Sequence, residues 1–185
     1  MKISYRIGNL LNHPDKFIAQ GCNAQGQMGS GVAAAIRGRY PKAYDVYAAH
    51  HERFGLILGN VIVADCVPHT ILNCITQEFF GRDGGLYVSY DAIERAIQTV
   101  DELMRVERSK IYTSCDMQGD PSLIPRVGYP LIGGDLGGGD WAVISKIIED
   151  FSDHHQPIVY LLDRKVIQDK NIPVEQVDET YQEKA

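Results

Sequence analysis

The chain has 185 residues, a formal net charge of -6, 44% hydrophobic residues and 23% charged residues. That balance suits one globular domain and excludes a general nucleic-acid binder, which carries a basic excess. It leaves room for one nucleotide-like ligand, because backbone amides hold a phosphate without any Lys or Arg.

In chain order, short apolar runs alternate with helical patterns. Residues 17–22 read as a strand. Met28, Val32, Ala35 and Ile36 then fall at the spacing of one helix face, and helical character resumes after Tyr40-Pro41 and runs from Lys42 to Phe54. Residues 61–66 and 70–76 are two strands separated by a turn at Pro68, which makes an antiparallel pair. Ser89 suits the cap of a long helix with the stripe Tyr90, Ile93, Ile97, Val100 and Met104. Residues 110–115 and 127–132 read as strands, Trp141, Ile144, Ile148 and Phe151 as a helix stripe, and residues 158–162 as the last strand. Strands alternating with helices imply an α/β fold, a three-layer αβα sandwich around a central mixed sheet. Residues 1–163 form the domain, and the polar residues 164–185 read as a C-terminal tail.

Two loops carry the chemistry. Residues 23–32, Asn-Ala-Gln-Gly-Gln-Met-Gly-Ser-Gly-Val, follow a strand and open a helix. Residues 132–141, Ile-Gly-Gly-Asp-Leu-Gly-Gly-Gly-Asp-Trp, share that context and hold five glycines within the seven positions 133–139. Glycines let backbone approach a ligand, and a helix N-terminus offers free N–H groups to an anion. One such loop is equally a plain turn, but two at the carboxyl ends of strands can clamp a diphosphate from both sides. No P-loop signature G-x-x-x-x-G-K-[ST] is present. Residues 29–34 match G-x-G-x-x-A, yet they do not follow their strand directly, and the stretch where an acidic residue should close a second strand reads as helix.

With these loops in hand, residues 17–33, Arg39-Tyr40-Pro41-Lys42-Ala43-Tyr44 and residues 127–141 together resemble the macrodomain family. The resemblance runs from Lys2 to about Asp163. It lies nearest the small-macrodomain group that contains the yeast ADP-ribose-1''-phosphate phosphatase, the terminal ADP-ribose protein glycohydrolase, and short bacterial and phage versions. The resemblance implies ADP-ribose as a small-molecule nucleotide ligand. It places Asn9 at the adenine, where many members have Asp, and Asn23 near the distal ribose. Gly29, Ser30, Gly31 and Val32, with Gly133, Gly134, Leu136 and Gly137, then surround the diphosphate, and Gln20 lies on the first ligand strand. Three departures bear on catalysis. Gln20 stands where the yeast-like phosphatase has a His, and Gln77 and Gly137 stand where the glycohydrolase has its Lys and Asp.

Three residues are candidates for chemistry. Asp135 stands in loop two where the family has a small residue; it reads equally as a water-activating base or as a solvated loop Asp. Asp140 reads first as the N-cap of the following helix and second as catalytic. Asn23 reads as an orienter of the distal ribose or attacking water, or as a turn residue. His13, His50, His51, His69, His154 and His155 fall on expected surfaces or turns away from both loops, without metal-ligand spacing. Residues 81–85 read as a mobile loop near the site mouth, and Trp141 as core. No metal and no cofactor are expected. Cys22, Cys66, Cys74 and Cys115 lack a C-x-x-C pairing and read as free thiols. The N-terminal residues have no signal-peptide pattern, and no apolar run reaches membrane-spanning length. The expectation is a cytoplasmic monomer without a membrane segment. It binds ADP-ribose and removes the phosphate of ADP-ribose-1''-phosphate. The alternatives are a non-catalytic ADP-ribose-binding module and a hydrolase that removes ADP-ribose from protein or nucleic acid.

Overall fold

A computed structural model describes residues 1–81, 83–114 and 123–181. Strand β1 (Ser4–Ile7) leads through a 3-10 turn at Leu10–Asn12 to β2 (Phe17–Asn23). Helices α1 (Gly31–Arg39) and α2 (Pro41–Phe54) precede the hairpin of β3 (Val61–Asp65) and β4 (Thr70–Gln77). Helix α3 (Tyr90–Ser114), β5 (Arg126–Tyr129), α4 (Trp141–Asp150), β6 (Gln156–Leu161) and α5 (Lys165–Asp169) complete the order.

Among the described residues six strands form one sheet in the order β1-β6-β5-β2-β4-β3. The first five in that order run parallel, and β3 pairs antiparallel with β4. Parallel neighbours need crossovers, which the helices supply on both faces. This is the expected three-layer sandwich with a mixed sheet. Side-chain alternation along β2 makes it so. Phe17 and Ala19 join a core with Ile93, Ile97 and Val100 of α3 and Trp141, Ile144 and Ile148 of α4. Ile18 packs with Ile36 of α1 and Tyr40 and Ala43 at the start of α2. Cys22 packs with Met28 and Tyr47. Each fully buried isoleucine such as Ile97 or Ile144 carries a cavity cost of about 2–5 kcal/mol if cut to Ala.

The connection from β2 leaves toward β3 and β4, whereas that from β5 leaves toward β6. The sheet order therefore reverses between β2 and β5. A crevice opens there outside the carboxyl ends of the strands, where open α/β sheets take their ligands.

Three expectations need correction. The stretch expected as a strand from Lys110 continues α3 to Ser114, and Cys115 lies outside the described residues. Histidines expected on surfaces are core residues: His13, His69 and His155 are all buried. His13 Nδ1 meets the Tyr160 hydroxyl at 3.0 Å, His69 Nδ1 meets that of Tyr40 at 2.8 Å, and His155 bonds Asp101 and Tyr129. Finally, the chain beyond Arg164 is no loose tail. Ile172 and Val177 are buried in the α3–α4 core, Val177 bridges Tyr5, and Arg6 stacks on the Tyr181 ring at 4.6 Å. Residues 182–185 lie outside the described residues. Within the described residues no helix is long and apolar enough to cross a membrane, and no group of three or more His, Cys, Asp or Glu could hold a metal.

Candidate functional site

A cleft of about 700 Å³ occupies the crevice between β2 and β5, within the roughly 300–1,000 Å³ of small-molecule sites. Its walls come from the ends of β2 and β6, from Gln27 and residues 29–33 of loop one and the start of α1, from residues 130–133 and 135–137 around loop two, and from Val166, Asp169 and Lys170 of α5 and its exit. Gln77, Phe80 and Gly81 close one end, and Tyr160, Leu161 and Leu162 the other.

Loop one is shaped by the Asn23 side chain. Its Oδ1 accepts from the N–H of Gln25 at 3.0 Å, the N–H of Gln27 at 3.2 Å and the Tyr47 hydroxyl at 3.1 Å, while Nδ2 donates to the Gln27 carbonyl at 2.7 Å. The loop then turns into α1 at Ser30, whose side chain makes no capping bond. Gly31 sits at φ +56°, the left-handed region that side chains rarely adopt, and a Cβ there would stand 3.1 Å from Leu136 Cδ1. The two loops therefore converge at Gly31 and Leu136.

Loop two folds onto itself. The N–H groups of Gly134, Gly138 and Gly139 donate to the carbonyls of Leu131, Asp135 and Gly133, each at 2.9 Å. Gly133 sits at φ +71°, a conformation that side chains rarely adopt, and a Cβ there would stand tightly at 3.0 Å from Val88 and 3.1 Å from Ile93. Among the described residues, the N–H groups of Asp135, Leu136 and Gly137 donate to no protein acceptor, and neither do those of Gly29, Ser30, Gly31 and Val32. Two rows of amides without a protein acceptor thus belong to residues that line one cleft. An uncapped helix start and a run of successive free N–H groups are both anion-binding devices. The start of α4 contrasts with that of α1, because the Asp140 carboxylate caps it by accepting from Ala142 N–H at 2.9 Å.

Comparison with known proteins bears on the fold. No model of a known protein family matches the chain. The ADP-ribose 1''-phosphate phosphatase of Candida glabrata is 32% identical over 115 residues, a match that covers 58% of this chain and 64% of that protein, just short of two thirds. The protein of the same name from Saccharomyces cerevisiae is 27% identical over 175 residues, covering 86% of this chain and 98% of the relative. Among solved structures, a macrodomain protein from Streptomyces coelicolor matches with a TM-score of 0.65 and 26% identity, over 86% of this chain and 99% of that one. This chain has the macrodomain fold.

The macrodomain cleft collects most of the residues singled out in the sequence. Asn23, Gly29, Ser30, Gly31, Val32, Gly133, Asp135, Leu136 and Gly137 all line it. Four do not. Gln20 points into the α1–α2 layer, where it is buried and its Nε2 donates to Asn73 Oδ1 at 2.7 Å. Gly134 packs under the Trp141 ring. Asp140 is occupied as a cap. Asn9 is exposed beside the cleft end and caps the first 3-10 turn through Leu11 N–H.

The loops around the cleft are also shaped by residues that were not singled out in the sequence as ligand-binding. His51, expected away from the loops, lies against Gly26, where a Cβ would stand 2.7 Å from its ring. Gln77 bonds the Phe79 carbonyl at 2.7 Å and so fixes the exit of β4 at the cleft. Lys170 reaches back from the exit of α5 and donates to the Gly134 carbonyl at 2.5 Å. The loop expected near the site mouth at residues 81–85 reaches the first end of the cleft through Gly81. Cys22 lines the cleft too, but burial pushes its thiol well above the usual range, so it is no nucleophile.

Proposed function

We propose that this macrodomain binds ADP-ribose in the cleft and removes the phosphate of ADP-ribose 1''-phosphate. The observation that carries the proposal is the pair of amide rows without a protein acceptor, residues 29–32 and 135–137, lining a crevice large enough for a dinucleotide-like ligand. The relatives from Candida glabrata and Saccharomyces cerevisiae carry that phosphatase name, which supports the same substrate. The ligand diphosphate lies between the two rows, held by backbone dipoles rather than by a cluster of cations.

For the chemistry, Asp135 and Asp169 are the carboxylates among the described residues that line the cleft, and Asp135 belongs to the loop beside the diphosphate. In this reading Asp135 accepts a proton from a water as that water attacks phosphorus. The bond from phosphorus to the ribose oxygen breaks, that oxygen takes up a proton from solvent, Asp135 returns its proton to solvent, and inorganic phosphate and ADP-ribose leave. The rate advantage comes from one positioned base, typically about 10²–10⁴-fold. Incubation with ADP-ribose 1''-phosphate tests this by released phosphate: wild type is expected to turn over and Asp135→Ala to lose turnover within that range.

A second reading, capture of ADP-ribose without chemistry, rests on a specific observation. The Asn23 side chain is bonded at both its Nδ2 and its Oδ1, so it is no ready partner for an attacking water. Binding without phosphate release would decide for it. The free thiols of Cys22, Cys66 and Cys74 support a reducing, cytoplasmic setting for either activity.

A further inference from the structure

Lys170 stands at an unusual junction. Among the described residues lining the cleft it is the one cationic side chain. Its half-buried ammonium has a neutral partner, the Gly134 carbonyl at 2.5 Å. No ion pair joins it to Asp135, Asp169 or any other carboxylate among the described residues. An ammonium has three donors, so two remain when one is bonded to Gly134. A partly desolvated cation without a counter-ion calls for an anion to complete it.

The position of Lys170 is set by the chain around it. Lys170 N–H closes α5 on the Val166 carbonyl at 2.9 Å. Asn171 then takes a left-handed conformation at φ +51°, and Ile172 N–H returns to the Ile167 carbonyl at 2.9 Å. This is the usual way to end a helix and turn the chain sharply. Ile172 is buried in the core, so the turn is anchored and the side chain before it is aimed back over the cleft.

We propose that Lys170 is a binding residue of the cleft: its ammonium latches loop two through Gly134 and donates to a phosphate oxygen of the bound nucleotide diphosphate. The ligand's identity rests on the ADP-ribose reading above; the anion contact does not. The segment after the last strand thereby supplies the positive charge that the two amide rows lack. It joins loop two to the far end of the cleft, so that loop order and ligand charge are coupled.

The test is calorimetric titration of wild type, Lys170→Met and Lys170→Arg with ADP-ribose, adenosine and inorganic pyrophosphate, each at low and high salt. Loss of a hydrogen bond to a charged group corresponds to about 10–100-fold. Lys170→Met is expected to weaken ADP-ribose and pyrophosphate by that factor, to leave adenosine unchanged and to flatten the salt dependence. Lys170→Arg is expected to restore most of the affinity. A latch without a phosphate contact would weaken adenosine along with ADP-ribose and keep the salt slope, which overturns the proposal. Equal pyrophosphate and ADP-ribose affinity in wild type and Lys170→Met also overturns it and leaves the proposed function standing. Wild type that binds pyrophosphate but not ADP-ribose, with Lys170→Met binding neither, supports the Lys170 contact and rejects the ADP-ribose reading.

Discussion

Asp135 and Asp140 lie in the same loop and look alike in sequence, yet their surroundings separate them. Asp140 accepts from Ala142 N–H and starts α4, so Asp140→Ala should cost about 1 kcal/mol of stability with little effect on phosphate release. Asp135 is exposed at the cleft with no protein partner for its backbone N–H. Asp135→Ala should cut turnover and leave ADP-ribose affinity intact or slightly higher, since one negative charge leaves the cleft. Parallel assays of melting, phosphate release and affinity check the pair; a rate loss confined to Asp140→Ala would reverse the assignment. At this scale the sequence told residue type but not direction. The glycines, Asn23 and the two acids were legible because turns and caps are local events. The inward aim of Gln20 was not, because it depends on a bond to Asn73 on a neighbouring strand, 53 residues away. The burial of His13 and His69 likewise depends on Tyr160 and Tyr40, and nothing in the local pattern announces those partners.

Among the elements, the contrast between two helix starts carries the site. Helix α4 has a side-chain cap, whereas α1 has none and begins with free N–H groups at the cleft. Gly31→Glu puts a side chain where Leu136 Cδ1 lies 3.1 Å from the Cβ position and sets a carboxylate among the amides. ADP-ribose binding should disappear while far-ultraviolet circular dichroism stays native; retained binding would remove loop one from the phosphate site. Element types were mostly readable from period and capping residues. The failure at residues 110–114 has a physical source. Lys-Ile-Tyr-Thr-Ser is rich in β-branched and aromatic residues, whose strand preference is weak against continuation of an already formed helix.

For the whole molecule, residues 164–181 matter more than their polarity suggests. Ile172 and Val177 close the core beside β1, and Lys170 reaches the cleft. Buried side chains of this size are each worth about 1.5–3 kcal/mol, so a chain ending at Asp163 should melt well below the full chain and lose the ligand. Equal melting would return residues 164–181 to the status of a tail. This part was illegible because single apolar residues in a polar stretch show no period. Stability should also fall in acid. Burial, with the nearby Arg6 charge, pushes His13 down to about 3, and burial lowers His155 against the pull of Asp101. The unfolded chain takes up these protons near the ordinary histidine value of about 6.5, whereas the folded chain resists them, so stability is full above that pH and declines as pH falls toward 3. Melting temperature should therefore drop from about pH 6.5 downward, and His13→Asn should make the decline shallower; an unchanged slope would show that His13 takes no part.

The most direct test of the cleft is the melting temperature of the wild-type chain with ADP-ribose and, separately, with AMP. A ligand held only by the native state at a hundred times its Kd adds about 2.7 kcal/mol, which for a chain of this size raises melting by roughly 5–10 °C. ADP-ribose should give a shift of that order and AMP a clearly smaller one, because AMP lacks the diphosphate and distal ribose that the proposed function assigns to the two loops. No shift with millimolar ADP-ribose, or an equal shift with AMP, would contradict the claim that the two amide rows form a diphosphate site.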